Sequence, residues 1–353
     1  EAVDYAHARG VKVYLTLNSY PSNCDLTALS SYLEEISQLS IDAFIVADPG
    51  VIELIREKSP EMELHLSTQA NTVNWRSALF WQKQGVKRIN LAREMSLADI
   101  RETSGRVDLE LEAFVHGAMC VSYSGRCLLS SVMSGRNANK GECSHPCRWG
   151  YALVEETRPG EYFPVYEDEN GTFIFNSRDL CLIEHLQELI SAGVSSLKIE
   201  GRMKGINYVG AVVRVYREAL DRLAAEGGSY RVRPEWLEEL CKISHRGYTT
   251  GFAFGEPREV GQEYASRYIR SHDFIGVVES VEGDGTAVVA VRNQLKSGDT
   301  VECLGRGMIL GIMPETLLLD ESSAPLQIVN PNSRVRMRLP FPVEPLDLLR
   351  KPR

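Results

Sequence analysis

Four cysteines, Cys120, Cys127, Cys143 and Cys147, fall in the stretch 116–149, HGAMCVSYSGRCLLSSVMSGRNANKGECSHPCRW, and make up half of the eight in the chain. A thiolate is a strong metal ligand, and four of them in a polar, Gly/Ser-rich segment suit metal binding. Their spacing is C-x6-C-x15-C-x3-C. Structural zinc sites present two close pairs, whereas here only Cys143 and Cys147 are close, so a 4Fe-4S cube ranks ahead of zinc. Two disulfides or four ordinary buried thiols remain the plain alternatives. His145 is a substitute ligand, and Ser122, Tyr123, Ser124 and Gly125 could hydrogen-bond to cluster sulfurs. The stretch has one acid, Glu142, against Arg126, Arg136, Lys140 and Arg148, and no period of its own, so it reads as a loop ordered by what it binds.

A second group of reactive side chains stands where short apolar runs end. Arg93, His116, Glu200, Arg202 and Lys204 are the ones to follow. In SLKIEGRMK (196–204), Lys198 and Glu200 alternate with apolar residues and share one strand face, where a charge must pair or hold a ligand. Arg93, Arg202 and Lys204 suit a carboxylate or phosphate, by fork or by point charge. His116 and Glu200 are the candidates for moving protons. SHRGYTTG (244–251) reads as a turn before an aromatic run. Neither a Ser-His-Asp order, nor HExxH, nor a P-loop is visible.

These residues need a scaffold, and the pattern supplies one. Strands are expected at 11–17, 43–47, 64–67, 88–92, 109–115 and 196–200, with helices at 26–39, 51–58, 74–84, 180–192 and 206–225. Gly85 and Gly193 stand where helix C-caps feed the next strand. In the last long helix Val209, Val212, Val213, Tyr216, Leu220 and Leu223 are expected to form one buried face. Alternating βα units imply a parallel sheet. Because the chain opens within a helix and shows six strands, the expected fold is a (β/α)8 TIM-type barrel lacking its first two βα units in this fragment. The strand ends are then its active face. Residues 1–269 form this incomplete barrel, with the Cys-rich loop 116–150 and an insertion 151–195. A further strand is expected within residues 173–176. Residues 270–353 carry short β segments and tight turns, and read as a small antiparallel β-barrel with a loosely packed Pro-rich tail from 340.

The 353 residues are 43% hydrophobic and 25% charged, with no run approaching the roughly 18 apolar residues of a membrane helix. The scattered remaining cysteines fit a reducing cytoplasm better than a disulfide framework. The net charge of −9 excludes a nucleic-acid-coated protein but leaves room for a local basic patch.

The chain resembles the peptidase U32, or collagenase-like protease, family. The likeness lies in HGAMC (116–120), YSGRC (123–127), Cys143 to Trp149, NSRDLC (176–181), LKIEGRMK (197–204) and SHRGYTTG. Within it the similarity is to tRNA hydroxylation proteins that make 5-hydroxyuridine at the wobble position in a prephenate-linked reaction. The resemblance implies a 4Fe-4S cluster on the four cysteines, tRNA as partner and prephenate as a possible co-substrate. The other readings are a metal-dependent collagenase-like peptidase and a non-catalytic RNA-binding module.

Overall fold

The computed structural model describes residues 1–36, 38–119, 127–149, 152–153, 163–164, 178–255, 269–308 and 311–353. The chain forms two compact units, Glu1–Glu200 with Tyr248–Ser266, and Gly201–Gly247 with Arg267–Arg353. The expected strand within 173–176 lies outside the described residues.

The first unit is a sheet of β1 (Tyr14–Leu17), β2 (Ala43–Val46), β3 (Leu64–Leu66), β4 (Arg88–Asn90), β5 (Glu110–Ala118), β6 (Asp179–Cys181), β7 (Ser196–Ile199) and β8 (Tyr248–Thr249). Strands β1 to β5 lie side by side in chain order, all parallel, and β7 adds in parallel to β5. The six expected strands are therefore present. The other two were not foreseen: β6 runs antiparallel to the end of β5, and β8 pairs with β6. Residues 180–181 were expected to open a helix. They continue the sheet instead, and the helix starts at Leu186, as α7 (Leu186–Ser191) below. Among the described residues, β1 pairs only with β2, and β7 only with β5.

Alternation along the strands sorts side chains onto two faces. Phe44, Val46, Leu64, Leu66, Ile89 and Leu111 lie on one face and are buried. Each such side chain contributes about 1.5–3 kcal/mol on burial. The helices α2 (Asn23–Ile36), α3 (Pro49–Lys58), α4 (Trp75–Lys83), α5 (Leu97–Ser104) and α7 connect these strands. Their starts are capped locally: Asp48 accepts from the Gly50 and Val51 N–H groups, Asn74 from Ser77, and Ser96 forms a capping box with Asp99. Gly85 and Gly193 follow their helices at φ 77° and 96°, as expected of C-terminal stops. The opposite face is polar. The register His65–Arg88, Asn90–Glu112, Glu112–Ser196 and Phe114–Lys198 sets these residues side by side there.

The second unit joins α8 (Ile206–Glu226) and α9 (Pro234–Leu240) to an antiparallel sheet. Its strands are β9 (His272–Val281), β10 (Ala287–Val291), β11 (Val301–Leu304), β12 (Gly311–Met313), β13 (Leu318–Leu319), β14 (Pro325–Leu326), β15 (Arg334–Met337) and β16 (Leu348–Pro352). They are ordered β12-β11-β16-β9-β10-β15-β13-β14 around a core that includes Ile275, Val289, Val335 and Leu349. The tail expected to pack loosely contributes β16, which lies between β9 and β11. The stripe on α8 is also shifted. Val209 and Val213 are exposed, whereas Tyr208, Ala211, Val212, Val215, Tyr216 and Ala219 are buried together with Arg214.

Candidate functional site at the strand ends

In the cysteine-rich segment Cys127, Cys143 and Cys147 form no disulfide and have intermediate exposure, and Cys120 lies outside the described residues, as do Ser122 to Gly125. This part of the loop has more structure of its own than expected. A short helix α6 (Leu129–Ser134) is tied to the segment before Cys147 by a serine latch. The Ser144 N–H donates to Ser130 Oγ at 3.0 Å, and the Ser144 hydroxyl lies 2.6 Å from that of Ser134. Lys140 anchors the loop to Asp25 on α2 at 2.9 Å. The His145 N–H donates to Cys143 Sγ at 3.4 Å. Four thiols are the donor set that a sulfur-ligated cluster would take. Among the described residues, no three His, Cys, Asp or Glu side chains stand close enough together to hold a metal.

The end of β5 is bent. The register with β7 slips between Phe114 and His116, which leaves Val115 as a bulge residue. The carbonyls divide accordingly: Leu111 O and His116 O accept from Ser195 and Glu200, while Glu112 O and Val115 O accept from Leu91 and Leu182. A bulge at a strand end re-aims the side chain that follows it. His116 is thereby turned to the face opposite Phe114, 1% exposed, with its ring 5.4 Å from that of Tyr248. The Glu200 N–H donates to His116 O at 2.9 Å. Gly117 stands between them at φ 111°, and a Cβ there would lie 2.5 Å from Glu200 O, so no other residue fits. The fold thus brings the backbones of His116 and Glu200 together.

On the polar face Lys198 Nζ contacts Glu112 Oε1 at 2.9 Å, the Ser196 hydroxyl donates to the other oxygen at 2.8 Å, and Arg88 approaches at 3.6 Å. Burial pushes the Glu112 carboxyl up, but Lys198, Ser196 and Arg88 together outweigh it and hold the group below the usual carboxylate range. Lys198 therefore closes an ion pair. Arg93 is different: its guanidinium lies 3.7 Å over the Phe114 ring, and among the described residues it has no acidic partner. Several acceptors nearby also lack partners, namely Gln69 Oε1, Asn71 Oδ1, Thr72 Oγ1 and Asn90 Oδ1. Asp179, within the NSRDLC motif, is given no role in the sequence reading because it lies on β6, itself unforeseen.

Arg202 and Lys204 belong to the second unit. Arg202 is exposed, and Lys204 Nζ lies 4.8 Å over the Tyr208 ring. In the 244–251 stretch His245 and Arg246 are buried in the second unit, the Gly247 N–H donating to His245 Nδ1 at 3.0 Å, while Tyr248–Thr249 forms β8 of the first.

A largely parallel α/β sheet with polar side chains at its strand ends, followed by an antiparallel β unit, defines a two-part α/β protein. The chain belongs to peptidase family U32: residues 1–263 match that family and residues 270–350 its C-terminal domain. The tRNA hydroxylation protein P1 of Bacillus subtilis (strain 168) is 38% identical, over 99% of this chain and 84% of its own. The tRNA hydroxylation protein P of Escherichia coli (strain K12) is 39% identical, over 86% of this chain and 75% of its own. A 23S rRNA 5-hydroxycytidine synthase of the same organism is 33% identical, over 90% of this chain and 48% of its own.

Proposed function

We propose that the protein is an RNA hydroxylase that converts the wobble uridine of tRNA to 5-hydroxyuridine in the cytoplasm, with prephenate as co-substrate. The observation that carries this reading is the 38% identity, along nearly the whole chain, to a protein named for tRNA hydroxylation. Cys120, Cys127, Cys143 and Cys147 would hold a 4Fe-4S cluster, with zinc as the runner-up, and the cluster would supply electron transfer. Arg93 fits the role of anion clamp, since a guanidinium without an acidic partner is free to take a carboxylate or phosphate. Arg202 and Lys204 are assigned to the same ligands. His116 and Glu200 move protons, and the bulge and Gly117 set their approach. A peptidase reading has the family description behind it, but no nucleophile or zinc-hydrolase motif in the chain.

The fold that goes with this function is a (β/α)8 barrel. Sequential parallel order in β1–β5 and β7 supports it, as do the one-sided pairings of β1 and β7, where two further βα units would close the ring. A barrel part ending near 269 and a β-barrel part from 270 agree with the break between the two family matches.

Mass spectrometry of tRNA nucleosides from a strain lacking the gene, and from one complemented with it, tests the reading. Loss and return of 5-hydroxyuridine-derived nucleosides is expected. Unchanged levels, in a strain without a redundant pathway, would defeat it.

A further inference from the structure

Asp179 is 1% exposed, and among the described residues neither of its carboxylate oxygens has a hydrogen-bond partner. An unpaired carboxylate taken out of water is among the costliest groups a fold can carry, and it survives where something outside the fold meets it. The surroundings of Asp179 are those of the site. In the sheet it sits directly between Ala118 of β5 and Tyr248 of β8, and Cys181, two residues on, pairs with His116. Paired residues on neighbouring strands share a face, as do residues two apart. Asp179, His116 and Tyr248 therefore share one face, and the His116 and Tyr248 rings are 5.4 Å apart.

We infer that Asp179 is a specificity-determining residue that accepts a hydrogen bond from the N3–H of the target uracil, the base lying against the Tyr248 and His116 rings. The inference rests on the RNA-hydroxylase reading and deepens it. An ionised carboxylate is an acceptor only, so it repels phosphate and cannot meet the RNA backbone. What it can meet is a base edge or a ribose hydroxyl. Uracil has one ring donor, N3–H, and two aromatic rings on the same face supply the surface on which an extruded base stacks. Asp179 would then read the edge of the ring while chemistry proceeds at C5, on the other side of it.

Three hairpin RNAs test this by fluorescence anisotropy: one with uridine at the target position, one with 3-methyluridine, which lacks the N3–H, and one with 2′-deoxyuridine. The unaltered protein is expected to bind the 3-methyluridine hairpin about tenfold or more weakly, because a buried acceptor left unpaired is penalised strongly. Asp179→Leu, which leaves no acceptor at that position, is expected to erase that difference. The same variant, without RNA, should melt about 2 °C or more above the parent, since a buried unpaired charge has been removed. A residue with a merely structural partner would do the reverse, and a fall in melting temperature overturns the inference. So does equal binding of uridine and 3-methyluridine by the unaltered protein, or discrimination that persists in Asp179→Leu. Discrimination only against the deoxy hairpin assigns the donor to the ribose and overturns the base reading. Failure of the unaltered protein to bind any of the three defeats the hydroxylase reading itself.

Discussion

In the second unit Arg350, 0% exposed, lies 2.7 Å from both Glu239 and Glu302. Arg214 reaches Glu239 at 2.7 Å, and Lys242 and His272 reach Glu302 at 3.3 and 3.4 Å. Every charge there has an opposite, and only Arg350 Nη1 and Arg214 Nε lack acceptors. In the first unit the charges at the strand ends are arranged otherwise. Lys198, Glu112 and Arg88 pair on a face that water reaches, and among the described residues Arg93 has only an aromatic ring and Asp179 has no hydrogen-bond partner. Both regions bury ionisable groups in numbers that cost stability. One recovers that cost internally and is scaffold; the other leaves it open, which is what the proposed function asks of a binding region.

The largest expected effect is at Arg350. Removing it leaves two buried carboxylates facing each other, so Arg350→Ala should lose about 3–5 kcal/mol in denaturant unfolding of the protein. A loss under about 1 kcal/mol would mean that water already enters the network, and the contrast between the units would fail. Acid sharpens the same point. Burial raises the Glu239 and Glu302 carboxyls, but the Arg350 contacts, with Arg214 and Lys242, bring both below their ordinary 4.5. Their contribution is full above 4.5 and is lost as pH falls through the lowered values. His272 is pushed below 6.5, chiefly by burial, so the unfolded chain takes its proton first and stability starts to decline below that pH. Urea midpoints should therefore fall gently from pH 6.5 and steeply below 4.5. In Arg350→Ala the steep limb should flatten.

A smaller effect is expected at Glu112. Glu112→Gln removes the charge that Lys198 and Arg88 pair with and turns one of two acceptor oxygens into a donor, at a cost of about 1–2 kcal/mol. The estimate sits low because the Lys198 side chain is 28% exposed and water can replace the lost partner. If the loss matches that of Arg350→Ala, the polar face is as closed as the second-unit network and is not a binding face. Equilibrium unfolding of both variants under one condition decides it.

The difference between the regions also explains what the sequence disclosed. The aliphatic halves of β2, β3, β4 and β5 show as alternation, and the helices between them show as periodic stripes with caps such as Ser96 and Asp48. Partners are another matter. Arg214 looks like a surface residue within α8 because its charge is answered by Glu239, 25 positions away, and by Gly307 O, 93 away. Once Arg214 is buried, the stripe rotates, and Val209 and Val213 come out. Strands β6 and β8 are three and two residues long and half polar, too short for any period to register. Asp179 thus stayed hidden, whereas His116 and Glu200 were legible because each ends a strand long enough to see.

The smallest expected effect is at Arg93, and it tests whether an open charge is held cheaply. Its contact is with the Phe114 ring at 3.7 Å, and such a cation–π contact is worth about 0.5–1 kcal/mol at a partly exposed site. Arg93→Met keeps most of the packing over Phe114 while removing the fork. Unfolding free energy should fall by less than about 1 kcal/mol, within the range of ordinary surface changes. RNA hydroxylation by the same variant should drop far more, about tenfold or greater, because a fork to carboxylate or phosphate is a charge-assisted pair. The two measurements must separate for the argument to stand. A large stability loss with activity retained would place Arg93 among the scaffold charges beside Arg350, and the open face would lose its clearest cation.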